Sequence, residues 1–145
     1  MQIVFEPYAP DELKKVVHEG VTLHNVAATG MSEHYPVTFF LKADSGEIQG
    51  GLLGHIWGGW LEIHLVWIAH PLRGQNHGSA LLAEAEKLAI ARGCHSAYLD
   101  TFSFQAPEFY QKQGYQVYGV LEDCPTGHRR LYLRKSLVPR DSAGQ

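Results

Sequence analysis

Apolar positions along the chain first recur at helical spacing and later alternate as in strands. Ile3, Val4 and Phe5 predict a short first strand, ended by Pro7 and Pro10. From Asp11, a fitting N-cap, Leu13, Val16, Val17, Leu23 and Val26 follow a period near 3.6, so a helix is expected from about Glu12. Gly20 is expected to kink or split it, and Ala28 to Ser32 reads as loop. Strand patterns then take over. Val37 to Ala43 is apolar, Asp44 to Glu47 is a turn by composition, and Ile48 to Trp57 is a second strand. The glycines at 50, 51 and 54 in that strand point to a bulge or to close approach of another backbone. Gly58-Gly59 fits a two-residue hairpin turn into a third strand, Trp60 to Ala69. These three strands predict an antiparallel meander.

Strict alternation in the third strand puts Leu61, Ile63, Leu65 and Trp67 on one face and Glu62, His64, Val66 and Ile68 on the other. A central strand is usually apolar on both faces, so Glu62 and His64 stand out, although the solvent end of a strand would also accommodate them. After this strand comes His70-Pro71-Leu72-Arg73-Gly74-Gln75-Asn76-His77-Gly78-Ser79, and then an amphipathic helix from about Gly78 to Arg92. A turn of small polar residues running into a helix presents unpaired backbone N–H groups at the positive end of the helix dipole, an arrangement that suits phosphate or pyrophosphate. Arg73 adds a cation and Ser79 a hydroxyl. A strand from His95 to Thr101 completes a parallel crossover. A short helix over Ala106 to Gln113 and two closing strands, Tyr115 to Leu121 and Arg129 to Lys135, finish an α+β fold with a mixed sheet.

Length and composition bound the reading. The chain has 145 residues, enough for one domain, expected over 1–137, with 138–145 as a polar flexible tail. A net charge of −3 leaves no basic footprint for nucleic acid, and no apolar run is long enough to span a membrane. Cys94 and Cys124 stand far apart without a C-x-x-C, as in a reduced cytoplasmic protein. The nine histidines are scattered, with no H-E-x-x-H and no Cys/His pairing, so no metal is expected.

Two segments sharpen this. Arg73-Gly74-Gln75-Asn76-His77-Gly78 resembles the R/Q-x-x-G-x-G/A phosphate turn of the GNAT superfamily of N-acetyltransferases, with Asn76 at the middle glycine. Asn is among the few residues that tolerate the left-handed backbone. Ala106 to Tyr115 resembles the family's A-x-x-F-Y-x-x-x-G-F/Y segment, and Ser103 stands where many members carry an Asn against the cofactor. The resemblance covers roughly Val37 to Leu137. It implies a GNAT-like fold and transfer of acetyl from acetyl-CoA to a primary amine of a small molecule or protein. It assigns pyrophosphate to the N–H groups of Arg73, Gly74, Gln75, Asn76, His77, Gly78 and Ser79, with Ser103 and Tyr110 also at the cofactor. Pantetheine would pair with Trp67, Ile68 and Ala69, and a backbone N–H there would hold the oxyanion. Tyr110 is implied as the acid for the leaving thiolate, and Glu62, then His64, are candidates for the base. Direct attack is expected, with Cys94 filling space, and the family allows a homodimer. The alternative is a module that binds acyl-CoA without turnover. A doubly wound nucleotide-binding sheet is excluded, because its phosphate turn follows the first strand of repeated βαβ units.

Overall fold

The structure is a computed structural model that describes residues 1–138. Its elements in chain order are α1 (Asp11–Thr29), β1 (Tyr35–Lys42), β2 (Ile48–Trp57), β3 (Trp60–Ile68), α2 (His77–Ala91), β4 (Ser96–Phe102), α3 (Pro107–Lys112), β5 (Gln116–Glu122) and β6 (Arg129–Ser136). A single 3-10 turn, His70–Leu72, follows β3. No helix among the described residues is long and apolar enough to cross a membrane.

The chain forms two compact units, one over Met1–Glu33 and a second beginning at His34. In the first, the expected strand at Ile3 to Phe5 is absent: among the described residues nothing pairs with them, and a turn at Pro7 and Tyr8 precedes α1. Pro10, not Asp11, is the N-cap, and Asp11 and Glu12 instead place negative charge in the first turn, where the helix dipole favours it. Gly20 does not split α1, which runs unbroken through it, because one glycine costs only about 1 kcal/mol in a helix of 19 residues. The helix also runs two residues into the expected loop and closes at Gly30, whose φ of 72° lets its N–H reach Val26 O at 2.8 Å.

The second unit is a six-stranded sheet in the order β1-β2-β3-β4-β6-β5. β3 and β4 are parallel and the other neighbours antiparallel, as the meander, crossover and closing hairpin predict. One face packs under α2, where Leu81, Leu82, Ala85 and Ala89 meet Val37, Leu52, Leu61, Ile63, Ala97, Leu99 and Leu133 in a single core. Burying each large aliphatic side chain contributes about 1.5–3 kcal/mol, so this face dominates the favourable side of folding.

The alternation expected in β3 fails at its midpoint. Leu53 pairs with Leu65 but Gly54 pairs with Ile63, so His64 is an extra residue bulged out of the ladder. Beyond the bulge the faces exchange. Val66 and Ile68 pack toward the core, while Leu65 and Trp67 are 63% and 53% exposed. Gly54 makes room for the bulge: a Cβ there would run into the carbonyl oxygen of Glu62. The β3–β4 ladder stops at the same place, its last pair being Ile63 with Leu99. Past this point the two strands separate, and the β4-side edge of β3 from His64 onward has no strand partner.

Candidate active site

The gap between the diverging strands is a cleft of about 650 Å3, walled by the far half of β3, the turn before α2, the end of β4 and α3. At one end, Gly74 and Asn76 take left-handed conformations, with φ of 77° and 64°. Asn76 therefore does what a glycine would do in that position. The N–H groups of Gly74 through Ser79 find no acceptor among the described residues, whereas that of Arg73 is spent on His70 O at 3.2 Å. Arg73 also ties the turn to β3, donating Nε–H to Ile68 O at 2.9 Å, and its terminal nitrogens have no partner among the described residues. Ser79 Oγ accepts from Gln113 Nε2 at 3.0 Å and keeps its own proton to donate. Gly78 faces α3, where a Cβ would stand 3.3 Å from Phe109 Cζ. The missing side chain lets α2 and α3 close on each other, and Tyr110 on α3 lines the cleft.

Burial raises the pKa of the Tyr110 phenol to about 12, and its hydroxyl has no hydrogen-bond partner among the described residues. The ring is held edge-on between Phe109 and Tyr115, at centroid distances of 5.0 and 6.1 Å. Tyr115 is fixed in turn by Glu86, whose carboxylate also takes Lys135 Nζ at 2.6 Å. Cys94 is buried, and burial raises its thiol pKa, so it is a poor thiolate source and fills space beneath the sheet.

The bulge brings His64 to the cleft wall. Its Nε2 lies 2.9 Å from Nδ1 of His55 on β2 and 3.6 Å from Glu62 Oε2. His55 Nε2 is 3.5 Å from the same oxygen, which also accepts from Tyr98 OH on β4 at 2.9 Å. Burial chiefly, against the pull of the Glu62 charge, holds the His55 pKa below the ordinary imidazole value. Burial, the hydrogen bond to Glu62 and that charge raise the Tyr98 pKa to about 12. His34 stacks on Trp57 and tilts against His55, closing the far side of the group.

Of the residues singled out from sequence, His64, Trp67, Ile68, Arg73, Gly74, Asn76, His77, Gly78, Ser79 and Tyr110 line the cleft. Glu62 lies behind His64 and does not. Ala69 spends its N–H on Gln49 O at 2.8 Å, and Gln75 turns its amide to Pro71 O at 3.2 Å. Ser103 also lies outside the cleft. Its hydroxyl and N–H both engage the Arg129 backbone, at 3.0 and 2.8 Å, sewing the end of β4 to β6. Sequence reasoning missed Asp100, which lines the cleft and is clamped by Arg130 at 2.7–2.8 Å. It also missed Gln105, whose Oε1 accepts from Thr101 Oγ1 and Phe102 N to brace the entrance to α3. His55 was missed as well, though a signal existed: with Trp57 opposite Trp60 across Gly58-Gly59, His55 must oppose Glu62.

A parallel crossover whose strands part at a bulge, with a phosphate-type turn at the head of the crossover helix, is an acyl-CoA transferase architecture. The model of the Acetyltransferase (GNAT) family matches residues 4–115, and the chain belongs to that family. Acetyltransferase Atu2258 of Agrobacterium fabrum is 32% identical over 135 residues, 93% of this chain and 98% of that protein. Blasticidin-S acetyltransferase of Streptomyces morookaense is 40% identical over 95 residues, 65% of this chain and 70% of that protein. Among solved structures, an acetyltransferase from Bacillus cereus superposes with a TM-score of 0.82 at 34% identity, covering 92% of this chain and 97% of that one. An aminoglycoside 6'-N-acetyltransferase complexed with coenzyme A shares the fold, with a TM-score of 0.66 at 19% identity over 95% and 97% of the two chains.

Proposed function

We propose that this acetyltransferase moves acetyl from acetyl-CoA to a primary amine of a small molecule by direct attack. The observation that carries the reading is the cleft itself. It joins unpaired N–H groups at Gly74 to Ser79, an open strand edge at Trp67 and Ile68, and two proton-handling side chains, His64 and Tyr110. The turn suits the pyrophosphate, with Arg73 adding charge. The open edge suits the amides of pantetheine, which would run as an extra strand and bring the thioester toward the bulge.

At the bulge, only one arrangement of protons leaves His64 a free lone pair. His64 Nε2–H donates to His55 Nδ1, and His55 Nε2–H faces Glu62 Oε2, so the lone pair sits on His64 Nδ1. The amine nitrogen attacks the thioester carbon, the carbonyl π electrons move to oxygen, and His64 Nδ1 takes the ammonium proton. Glu62 Oε2 stands 3.6 Å from Nε2 of the same ring. Collapse breaks the C–S bond, and Tyr110 gives its proton to the sulfur. Glu62 thus becomes a positioning residue behind His64, which reverses the order inferred from sequence.

The relative named for blasticidin S supports a small-molecule amine as acceptor. The test is calorimetric titration with acetyl-CoA and CoA, followed by a screen of small amines. Saturable binding of both cofactors, and a His64→Gln variant that keeps binding while losing at least tenfold in kcat, are the expected results. Absence of binding by the folded chain at millimolar cofactor would overturn the proposal.

A further inference from the structure

We propose that His55, Glu62 and His64 form a binding site for one divalent transition-metal ion of the zinc class, and that the bound ion shuts off acetyl transfer. The three side chains offer two imidazole nitrogens and a carboxylate oxygen, all within 4.8 Å of one another. The edge of a tetrahedron with metal–ligand bonds of about 2.0–2.1 Å is about 3.3 Å. Two of the three spacings bracket it, His55 Nδ1 to His64 Nε2 at 2.9 Å and His64 Nε2 to Glu62 Oε2 at 3.6 Å, and the third is within 4.8 Å. Small rotations of side chains alone would complete three corners of the coordination shell. The fourth stays open to solvent, because His64 is exposed.

The supporting structure is also what a metal site requires. Tyr98 OH donates to Glu62 Oε2 at 2.9 Å and fixes the carboxylate, as partners of ligating carboxylates do. His55 is held between the ring of His34 at 5.5 Å and that of His64 at 4.8 Å. All three ligands stand on two adjacent strands joined by the tight Gly58-Gly59 turn, so ordering them costs little entropy. Two imidazoles with one carboxylate favour zinc or another late first-row ion over magnesium or calcium, which take oxygen ligands.

The consequence for transfer rests on the reading of His64 as the base. An ion on His64 Nε2 and His55 Nδ1 replaces the proton shared between them. Neutral His64 must then carry its proton on Nδ1, the atom that would take the proton of the amine. No net proton is gained or lost. The lone pair is simply moved from the cleft side to the metal side.

The experiment is a titration of the tag-free chain with Co2+, read by ligand-field absorption, then displaced with Zn2+ and repeated by calorimetry with Zn2+ alone. Expected is one ion per chain, an absorption of tetrahedral intensity, and at least tenfold weaker binding in His55→Gln and in Glu62→Gln. Tyr98→Phe should weaken binding by about ten- to a hundredfold, and His70→Gln, outside the cluster, should not change it. Unaltered melting curves verify that the variants fold. Binding without the absorption change, binding that His55→Gln leaves intact, or no binding at all overturns the site. These readings need no acetyl transfer, so they stand apart from failure of the proposed activity. If transfer occurs and saturating Zn2+ leaves its rate unchanged, the shut-off is overturned.

Discussion

Gly78 separates two roles of the turn that one substitution would confound. Gly78→Glu places a carboxylate where the pyrophosphate should approach, but any Cβ there stands 3.3 Å from Phe109 Cζ. Gly78→Ala is therefore its partner. The methyl group presses on Phe109 at a cost of about 1 kcal/mol, and replacing glycine in a helical turn returns up to about 1 kcal/mol, so stability changes by less than about 1 kcal/mol either way. For a domain of this size that is a Tm shift of at most about 5 °C. The glutamate adds Coulomb repulsion. At about 6 Å and an effective dielectric between about 20 and 80, each phosphate charge costs about 0.7–3 kcal/mol, so acetyl-CoA affinity should fall by roughly ten- to a hundredfold or more. Calorimetry of wild type, Gly78→Ala and Gly78→Glu measures this directly. The alanine chain should bind acetyl-CoA within a few-fold of wild type, and the glutamate chain should recover part of its loss as salt screens the charge. Equal binding by the glutamate and alanine chains, both folded, would refute the assignment of the turn to phosphate.

Three other substitutions or conditions probe the rest of the cleft. Tyr110→Phe should lower kcat by about a hundredfold with little change in acetyl-CoA affinity, and thioesters with better leaving groups should narrow the gap in a transfer assay. Gly54→Val should destabilise the chain by about 2–3 kcal/mol through contact with the Glu62 carbonyl, read by denaturant unfolding, and should lower transfer more than cofactor binding because His64 is displaced. The raised pKa values of Tyr98, Tyr110 and Tyr115 fix a sign for alkaline stability. Their folded forms keep protons that the unfolded chain releases near pH 10, so the stabilisation is complete below about pH 10 and is lost as pH rises toward 12. Melting temperatures from pH 8 to 11 should hold level and then fall, with a smaller fall in Tyr110→Phe.

The parts of this molecule that local rules govern were legible in the sequence. Gly58-Gly59 set the β2–β3 register, the spacing of Leu81, Leu82, Ala85 and Ala89 set the buried face of α2, and Asn76 adopted the left-handed backbone its chemistry permits. The failures came where one residue changes the period. A strict alternation rule placed Leu65 and Trp67 on one face with Leu61 and Ile63, and the extra residue at His64 turned both to the other. Three apolar residues at Ile3 to Phe5 look like a strand, but a strand exists only when another strand takes its hydrogen bonds. Ser103 shows the same limit for a site. Its position suggested the cofactor, yet it stands outside the cleft with Oγ accepting from the Arg129 N–H, a partner 26 residues away that no local pattern reveals. The histidines show the limit in another way. A search for H-E-x-x-H is a search for helical spacing and does not register that strand pairing brings ligand atoms of His55, Glu62 and His64 within 4.8 Å of one another.

The bulge at His64 ties these observations together. One inserted residue reverses the faces of β3, so the strand enters the cleft with Trp67 outward and an unpaired edge. It marks the end of the β3–β4 ladder at Ile63 and Leu99, which opens the cleft just where the crossover turn offers its N–H groups. It also carries His64 to the cleft wall while leaving the ring in contact with His55 and close to Glu62. A regular strand could supply a base, but it would stay paired to β4 and leave neither an open edge nor space for a pantetheine arm between them. Gly54, across the ladder, is what permits the insertion. The chemistry of the cleft therefore depends on a residue that takes no part in it, and the separate effects of Gly54→Val on binding and on transfer distinguish a bulge that merely opens the sheet from one that also positions the base.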